Sequence, residues 1–248
     1  MDSVNEEIWN ASCIIDDAAY LVALTGAGIS RESNVPTFRG EDGLWRNYDP
    51  MELATPQAFA KDPKLVWEWY QWRQALIQEC TPNPAHLTLA KWESKGILKH
   101  VITQNVDNLH QRSGSKNLTQ VHGNIFGLKC SRCNYNTNLV SPPVDVPLCP
   151  ECGSYLRPDV VWFGESLDSD VMQTVYFKLN NADVIIVIGT SGFVQPAASF
   201  PFIVKQNGGE IIEVNLEETP ITSFVDVHLS GKAGEILPMI DELLQENR

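Results

Sequence analysis

One junction constrains the fold of this chain more than any other feature. The apolar run at residues 21–24 passes through Thr25 straight into Gly26, Ala27 and Gly28, and then into a polar segment that ends at Gly40. A short apolar run of this kind reads as a parallel strand covered on both faces. Two glycines directly after it let the backbone turn sharply, so that its amides can approach a pyrophosphate at the next helix's N-terminus. A glycine pair alone is equally consistent with a plain strand-to-helix turn. Pro36, Thr37, Phe38 and Arg39 add a rigid kink, a hydroxyl, an aromatic ring and a guanidinium, more chemistry than a turn requires. The fingerprint of hydride-transferring dehydrogenases would carry a third glycine and an acid about 20 residues on. Here the third glycine is missing.

At 248 residues the chain can bury a sizeable core, as one large domain or a large domain with a small insert. Hydrophobic residues make up 43% of it. No apolar run approaches the roughly 18 residues that would cross a bilayer, and the first ten residues are acidic rather than basic. These features predict a soluble, cytoplasmic protein with no membrane partner. The net charge of −13 argues against direct nucleic-acid binding, which needs a basic face. We read the acidity as serving solubility rather than the steering of basic, lysine-bearing tails.

Strand-like runs at residues 21–24, 100–103, 184–188, 211–214 and 225–229 alternate with helical or irregular segments. That alternation predicts the α/β class: a Rossmann-type doubly wound parallel sheet. A closing amphipathic helix is expected over residues 233–245, with Pro238 near its first turn. Two segments interrupt the pattern: residues 45–92, rich in tryptophan and proline, and residues 129–157, which carry four cysteines. The expected division is a large dinucleotide-binding domain (1–44, 93–128 and 158–248), a helical insertion of a small domain (45–92) and a metal-binding module (129–157). Two insertions facing one sheet would make a cleft.

Cys130, Cys133, Cys149 and Cys152 form C-x2-C-x15-C-x2-C, a zinc-binding spacing. Each CxxC turn can aim two thiolates at one tetrahedral ion. Four sulfurs leave no open position for water, so the metal would be structural. Cys13 and Cys80 read as ordinary buried thiols.

Gln104, Asn105 and Asp107 follow a buried strand, at the edge where doubly wound sheets hold ligands. They could bond a ribose and a carboxamide, or simply cap the loop. His122, within Val-His-Gly-Asn, is a candidate general base because an imidazole titrates near working pH and Gly123 leaves it uncrowded. His86 and His100 look structural, His228 lies on a strand, and His110 is placed to buttress the 103–110 block. Tyr70 and Arg73 stand three apart in a segment with helical spacing and could grip a carboxylate together. On spacing alone, a solvated arginine beside a packed tyrosine is the commoner outcome.

Taken together, residues 20–40, TQNVDNLH at 103–110, VHGN at 121–124 and the two CxxC pairs resemble the sirtuin (Sir2-like) family of NAD-dependent protein deacylases, in family order over about residues 20–238. The resemblance implies NAD as co-substrate and one structural Zn2+. It implies NAD contacts from Gly26, Ala27, Gly28, Ser30, Thr37, Phe38, Arg39 and Trp45. Val106 and Asp107 would hold the nicotinamide carboxamide, Gln104 and Asn105 the nicotinamide ribose. Gly189, Thr190, Ser191, Asn215, Leu216 and Glu217 would meet the adenosine ribose, and Ala233 the adenine edge. His122 and Asn105 would carry catalysis: the acyl oxygen of a modified lysine attacks C1′ of the nicotinamide ribose, nicotinamide leaves, and His122 then takes a ribose proton. Products would be lysine, nicotinamide and 2′-O-acyl-ADP-ribose. Partners would be acyl-lysine proteins or peptides, aligned along the segment bearing Val161 and Phe163. Arg31 and Asn34 depart from the family's small residue and glycine, although Asn tolerates the left-handed conformation such a turn needs. Tyr70, Arg73 and Ala54 resemble the subclass that removes succinyl and malonyl groups. A plain deacetylase, a mono-ADP-ribosyltransferase and a non-catalytic NAD-binding module are the alternatives.

Overall fold

The computed structural model describes residues 3–36, 49–139, 143 and 145–246. β1 (Leu21–Thr25) and β7 (Val184–Ile188) are buried at every position. They lie side by side and parallel at the centre of a six-stranded sheet. β2 (Leu98–Thr103) and β3 (Leu118–Gln120) extend it on one side, β8 (Glu210–Asn215) and β9 (Val227–Ser230) on the other. The order is β3-β2-β1-β7-β8-β9, parallel throughout. The chain thus winds outward in opposite directions from β1 and β7, and the crevice over their carboxyl ends is the topological switch point where such sheets bind ligands. β3 escapes sequence reading because three half-polar residues carry no periodicity.

Alternate residues of each strand serve opposite cores. Leu21, Ala23, Ile186 and Ile188 pack against α1 (Ser3–Asp17), α6 (Pro84–Ser94) and α10 (Ala233–Glu246) through Ile8, Ile15, Leu89, Trp92, Leu237 and Ile240. Val22, Leu24, Ile185 and Val187 pack against α8 (Ser169–Asn181) and α9 (Phe200–Gln206) through Val175, Leu179, Phe200 and Val204. Pro238 is not in the first turn of α10: it is the sixth residue of a helix that starts at Ala233. It has no N–H to offer the Gly234 carbonyl one turn back.

The small lobe combines an antiparallel sheet, β5-β4-β6, with three helices. Its strands are β4 (Gly123–Cys130), β5 (Asn136–Asn138) and β6 (Leu156–Val160). Its helices are α3 (Pro50–Leu53), α4 (Pro56–Lys61) and α5 (Pro63–Glu79). Thr55 and Asp62 cap α4 and α5 through the amides of Ala58 and Leu65, each followed by a proline suited to a helix's first turn. Trp67 Nε1 donates to the Leu156 carbonyl (2.9 Å) and Gln74 Nε2 to the Ile125 carbonyl (2.6 Å), tying α5 to the sheet within one shared core. The boundaries differ from the sequence expectation in two places. α6 belongs with the large domain: Ala85, Leu89 and Trp92 lie in its core, and Trp92 Nε1 donates to Asp241 of α10 (3.1 Å). β4 already joins the small lobe before residue 129, because Ile125 and Leu128 face that core. Among the described residues no helix is long and apolar enough to cross a membrane.

Candidate functional site

The crevice is built by backbones in contact. Gly26 N–H donates to the Ile188 carbonyl (3.0 Å) and Gly28 N–H to the Gly189 carbonyl (2.8 Å). A Cβ on Gly26 would sit 2.7 Å from the Gly189 oxygen, and one on Gly28 2.6 Å from the Gly189 Cα, so side chains there would force the two strand ends apart. α2 (Ala27–Arg31) starts in this turn and buries Ile29 and Ser30. Asn34 adopts φ 63°, the left-handed conformation anticipated for it. Thr37, Phe38, Arg39 and Trp45 lie outside the described residues.

At the end of β2 the polar residues form a closed network. The Asn105 amide donates to the Gly26 carbonyl (3.0 Å) and to Ser30 Oγ (3.1 Å). Ser30 Oγ donates to Asp107 Oδ2 (2.9 Å), and Leu109 N–H to Asp107 Oδ1 (3.0 Å). Burial pushes the Asp107 carboxyl up, opposed by these hydrogen bonds and by the positive charge of Arg73. Ala27, Ser30, Pro36, Arg73, Asn105 and Asp107 line one pocket. Gln104 reaches across the crevice, its Nε2 donating to Thr190 Oγ1 (2.9 Å).

His122 is half-buried, and its Nδ1 lies 3.0 Å from the Gln104 carbonyl. A carbonyl only accepts, so Nδ1 carries the proton and Nε2 keeps the lone pair. Burial holds this imidazole below the ordinary histidine range, partly offset by that hydrogen bond, and so favours the neutral form. Gly123 has a different reason from the one sequence suggests. It sits at φ 80°, and a Cβ there would lie 2.1 Å from the Asp159 carbonyl oxygen, so glycine is required by the approach of β6 rather than by room for the imidazole.

Beneath this layer, His110 on α7 (Leu109–Ser113) bonds Thr25 Oγ1 through Nε2 (2.9 Å). Thr25 Oγ1 donates in turn to Thr103 Oγ1 (2.7 Å), which accepts the Asn105 N–H (3.1 Å). Burial lowers His86 to about 3 and His110 to about 4, keeping both neutral. Asn83 was not singled out in the sequence, yet its amide holds the Ile29 carbonyl (2.6 Å) and Ser33 Oγ (3.1 Å). The pair Asn83-Pro84, a helix-capping signal, was the available clue.

On the other wing, the Asn215 side-chain amide donates to the Thr190 carbonyl (2.8 Å), and the Asn215 backbone carbonyl accepts Gly231 N–H (2.9 Å). Ser191, Leu216 and Glu217 are exposed at the rim, while Ala233 is buried. The two wings together offer amides, hydroxyls and backbone donors on either side of a glycine turn, a set suited to a dinucleotide.

Tyr70 and Arg73 do share a face of α5, and both are buried, at 1% and 5% exposure. The solvated arginine is therefore set aside. Tyr70 Oη accepts from Trp162 Nε1 (2.8 Å), leaving its O–H as a donor, and burial raises the phenol further above neutrality, against the pull of Arg73. The guanidinium packs 4.9 Å from the Trp69 ring centroid; burial lowers it to about 10, which keeps it charged at neutral pH. Ala54 is buried nearby, its carbonyl accepting Phe163 N–H (2.9 Å). The segment bearing Val161 and Phe163 lies just beyond the small-lobe sheet rather than within it. β6 ends at Val160, and the next three amides are already engaged: Val161 with the His122 carbonyl, Trp162 with Glu165 Oε2, Phe163 with Ala54.

The four cysteine sulfurs lie within 4.8 Å of one another, with Cys130 and Cys152 3.5 Å apart and Cys133 and Cys149 3.6 Å apart. Tetrahedral zinc with Zn–S near 2.3 Å sets its sulfurs about 3.8 Å apart. The set fits a closed structural zinc site. Arg132 and Cys133 N–H point at Cys130 Sγ (3.3 and 3.4 Å), supporting a thiolate there.

A family model described as the Sir2 family matches residues 26–196. An NAD-dependent protein deacylase of Pyrococcus furiosus is 53% identical over 238 residues, 93% of this chain and 95% of that protein. NAD-dependent protein deacylase 1 of Archaeoglobus fulgidus is 54% identical over 236 residues, 94% of this chain and 95% of that protein. Among solved structures, a mutant Sir2 homologue in complex with ADP-ribose superimposes with a TM-score of 0.94 at 50% identity, covering 100% of this chain and 98% of that one. A Sir2 homologue bound to NAD gives 0.91 at 51% identity, covering 96% and 94%. A Sir2 protein bound to a myristoylated histone peptide gives 0.81 at 34% identity, covering 98% of each.

Proposed function

The chain belongs to the Sir2 family, and from that premise we propose that it is an NAD-dependent protein deacylase whose preferred substrates are lysines bearing acidic acyl groups, succinyl and malonyl, with acetyl a poorer one. NAD is the co-substrate, bound across the crevice between the Asn105–Asp107 network and the Thr190–Asn215 wing. Relatives solved with NAD and with ADP-ribose support that placement. Asn105, held by Gly26 and Ser30, and Asp107, held by Ser30 and Leu109, orient the nicotinamide half. Gln104 fixes the tautomer of His122, so the imidazole presents an unprotonated Nε2 as general base toward the ribose. The zinc carried by Cys130, Cys133, Cys149 and Cys152 holds the small lobe in shape and takes no part in the chemistry.

One observation carries the acyl preference: a guanidinium at 5% exposure lines the same pocket as Asn105 and Asp107. Its pKa of about 10 keeps it charged at neutral pH, and it acts electrostatically on both Tyr70 and Asp107. A carboxylate at the end of the acyl chain would meet the Arg73 guanidinium there, with the buried Tyr70 phenol behind it on the same face of α5. Product analysis by mass spectrometry tests the activity. With NAD, water and a succinyl-lysine peptide, the enzyme should yield the peptide with an unmodified lysine, nicotinamide and O-succinyl-ADP-ribose in equal amounts. An ADP-ribosylated acceptor would instead indicate mono-ADP-ribosyl transfer, and absence of nicotinamide release a non-catalytic binding module.

A further inference from the structure

Glu32 directly follows α2 at the close of the glycine turn's helix, where recognition of an anionic dinucleotide requires no acid. Its Oε1 accepts the N–H of Gly234, the second residue of α10 and 202 positions away (2.9 Å). First-turn amides have no partner inside their own helix. The next two, of Glu235 and Ile236, turn back to the Lys232 carbonyl, so Gly234 depends on Glu32. The contact is built at both ends. A Cβ on Gly234 would lie 2.6 Å from Glu32 Oε2 and 3.2 Å from Cδ, so a larger residue there would push the carboxylate out of its present position. A carboxylate at a helix N-terminus is also favourably placed against the helix dipole.

The turn that Glu32 holds is pinned once more, by Gly231 N–H on the Asn215 carbonyl, and Asn215 in turn holds Thr190. Glu32 therefore joins the glycine-turn helix at the switch point to the turn bearing Ala233 on the far wing. A dinucleotide lying across the carboxyl ends of the strands must meet both at once. We propose that Glu32 is a positioning residue that sets the spacing between these two flanks, so that affinity for NAD, and not the chemical step, depends on it. The inference rests on the reading of the crevice as the NAD site.

Steady-state kinetics and calorimetry with ADP-ribose on the zinc-loaded enzyme test it. Glu32→Ala should raise KM for NAD about tenfold, the order of a lost charge-assisted hydrogen bond. Saturating kcat and peptide KM should stay within about twofold, and ADP-ribose binding should weaken in parallel. Glu32→Gln, which keeps an acceptor oxygen, should recover most of the loss. Gly234→Ala, which displaces the carboxylate from the other side, should reproduce the defect, and the double variant should be no worse than either single one. If Glu32→Ala does not fold, Glu32→Gln and Gly234→Ala carry the test. An unchanged KM for NAD in folded Gly234→Ala or Glu32→Ala overturns the proposal, as does a fall in kcat at constant KM. Failure of the wild-type enzyme to bind ADP-ribose would instead overturn the crevice as the NAD site.

Discussion

The large domain and the tip of the small lobe reach order by opposite means. β1 and β7 bury every residue between two layers of apolar helices, so the crevice proposed to hold NAD rests on a core that needs no ligand to form. Around the cysteines the balance reverses. All three residues of β5 are exposed, and of the described residues from 131 to 155 Cys149 alone is fully buried. Such a segment has too little apolar surface to hold itself; four thiolates on one ion must supply the constraint. One half of the site thus sits on a scaffold stable in its own right, and the other hangs from a metal.

Removing the metal is the harshest way to break this contrast. Chelation, or Cys130→Ser, should abolish deacylation while leaving most of the helical signal of the large domain, because β4 links His122 to the first CxxC turn. Circular dichroism and activity measured on the same sample check it. Protein that is metal-free, folded and active would show that the cysteines do not hold the lobe.

A smaller effect, confined to chemistry, is expected on the scaffold side. His122→Ala should keep NAD binding and lose about 10² to 10⁴ in turnover, the usual contribution of a general base. The imidazole must be neutral to accept a proton. Because burial lowers its pKa in the fold, activity should persist through the ordinary histidine range and fall only as pH drops through the lowered value. The acid limb of kcat/KM should therefore lie below about 6.5. A limb above that value, or near-normal deacylation by the variant, would remove His122 from the role.

What was legible in the sequence follows the same division. Runs such as residues 184–188 announce buried parallel strands because both faces must be apolar, and the CxxC spacing announces a metal because ligand geometry fixes it. β3 was invisible because three residues carry no period, and α6 was assigned to the wrong lobe because its apolar face is silent about which core it meets. Gly123, Glu32 and Asn83 were obscure for one shared reason: their partners lie 36, 202 and 54 residues away, and only the fold brings them together. Tyr70 and Arg73 were half legible, since spacing set them on one face and burial alone decided that the face points inward.

That inward-facing arginine, on the small-lobe side of the pocket, carries the central claim, and the ratio of two substrates tests it most directly. The measurement is kcat/KM of the wild-type enzyme and Arg73→Met on succinyl- and acetyl-lysine versions of one peptide. A charge-assisted contact worth about 1.5 to 3 kcal/mol should be lost with the guanidinium. Efficiency on succinyl-lysine should fall about ten- to hundredfold, while on acetyl-lysine, which has no carboxylate to lose, it should hold level or rise. Equal losses on both substrates would contradict the account: Arg73 would be a structural residue, and the enzyme a plain deacetylase.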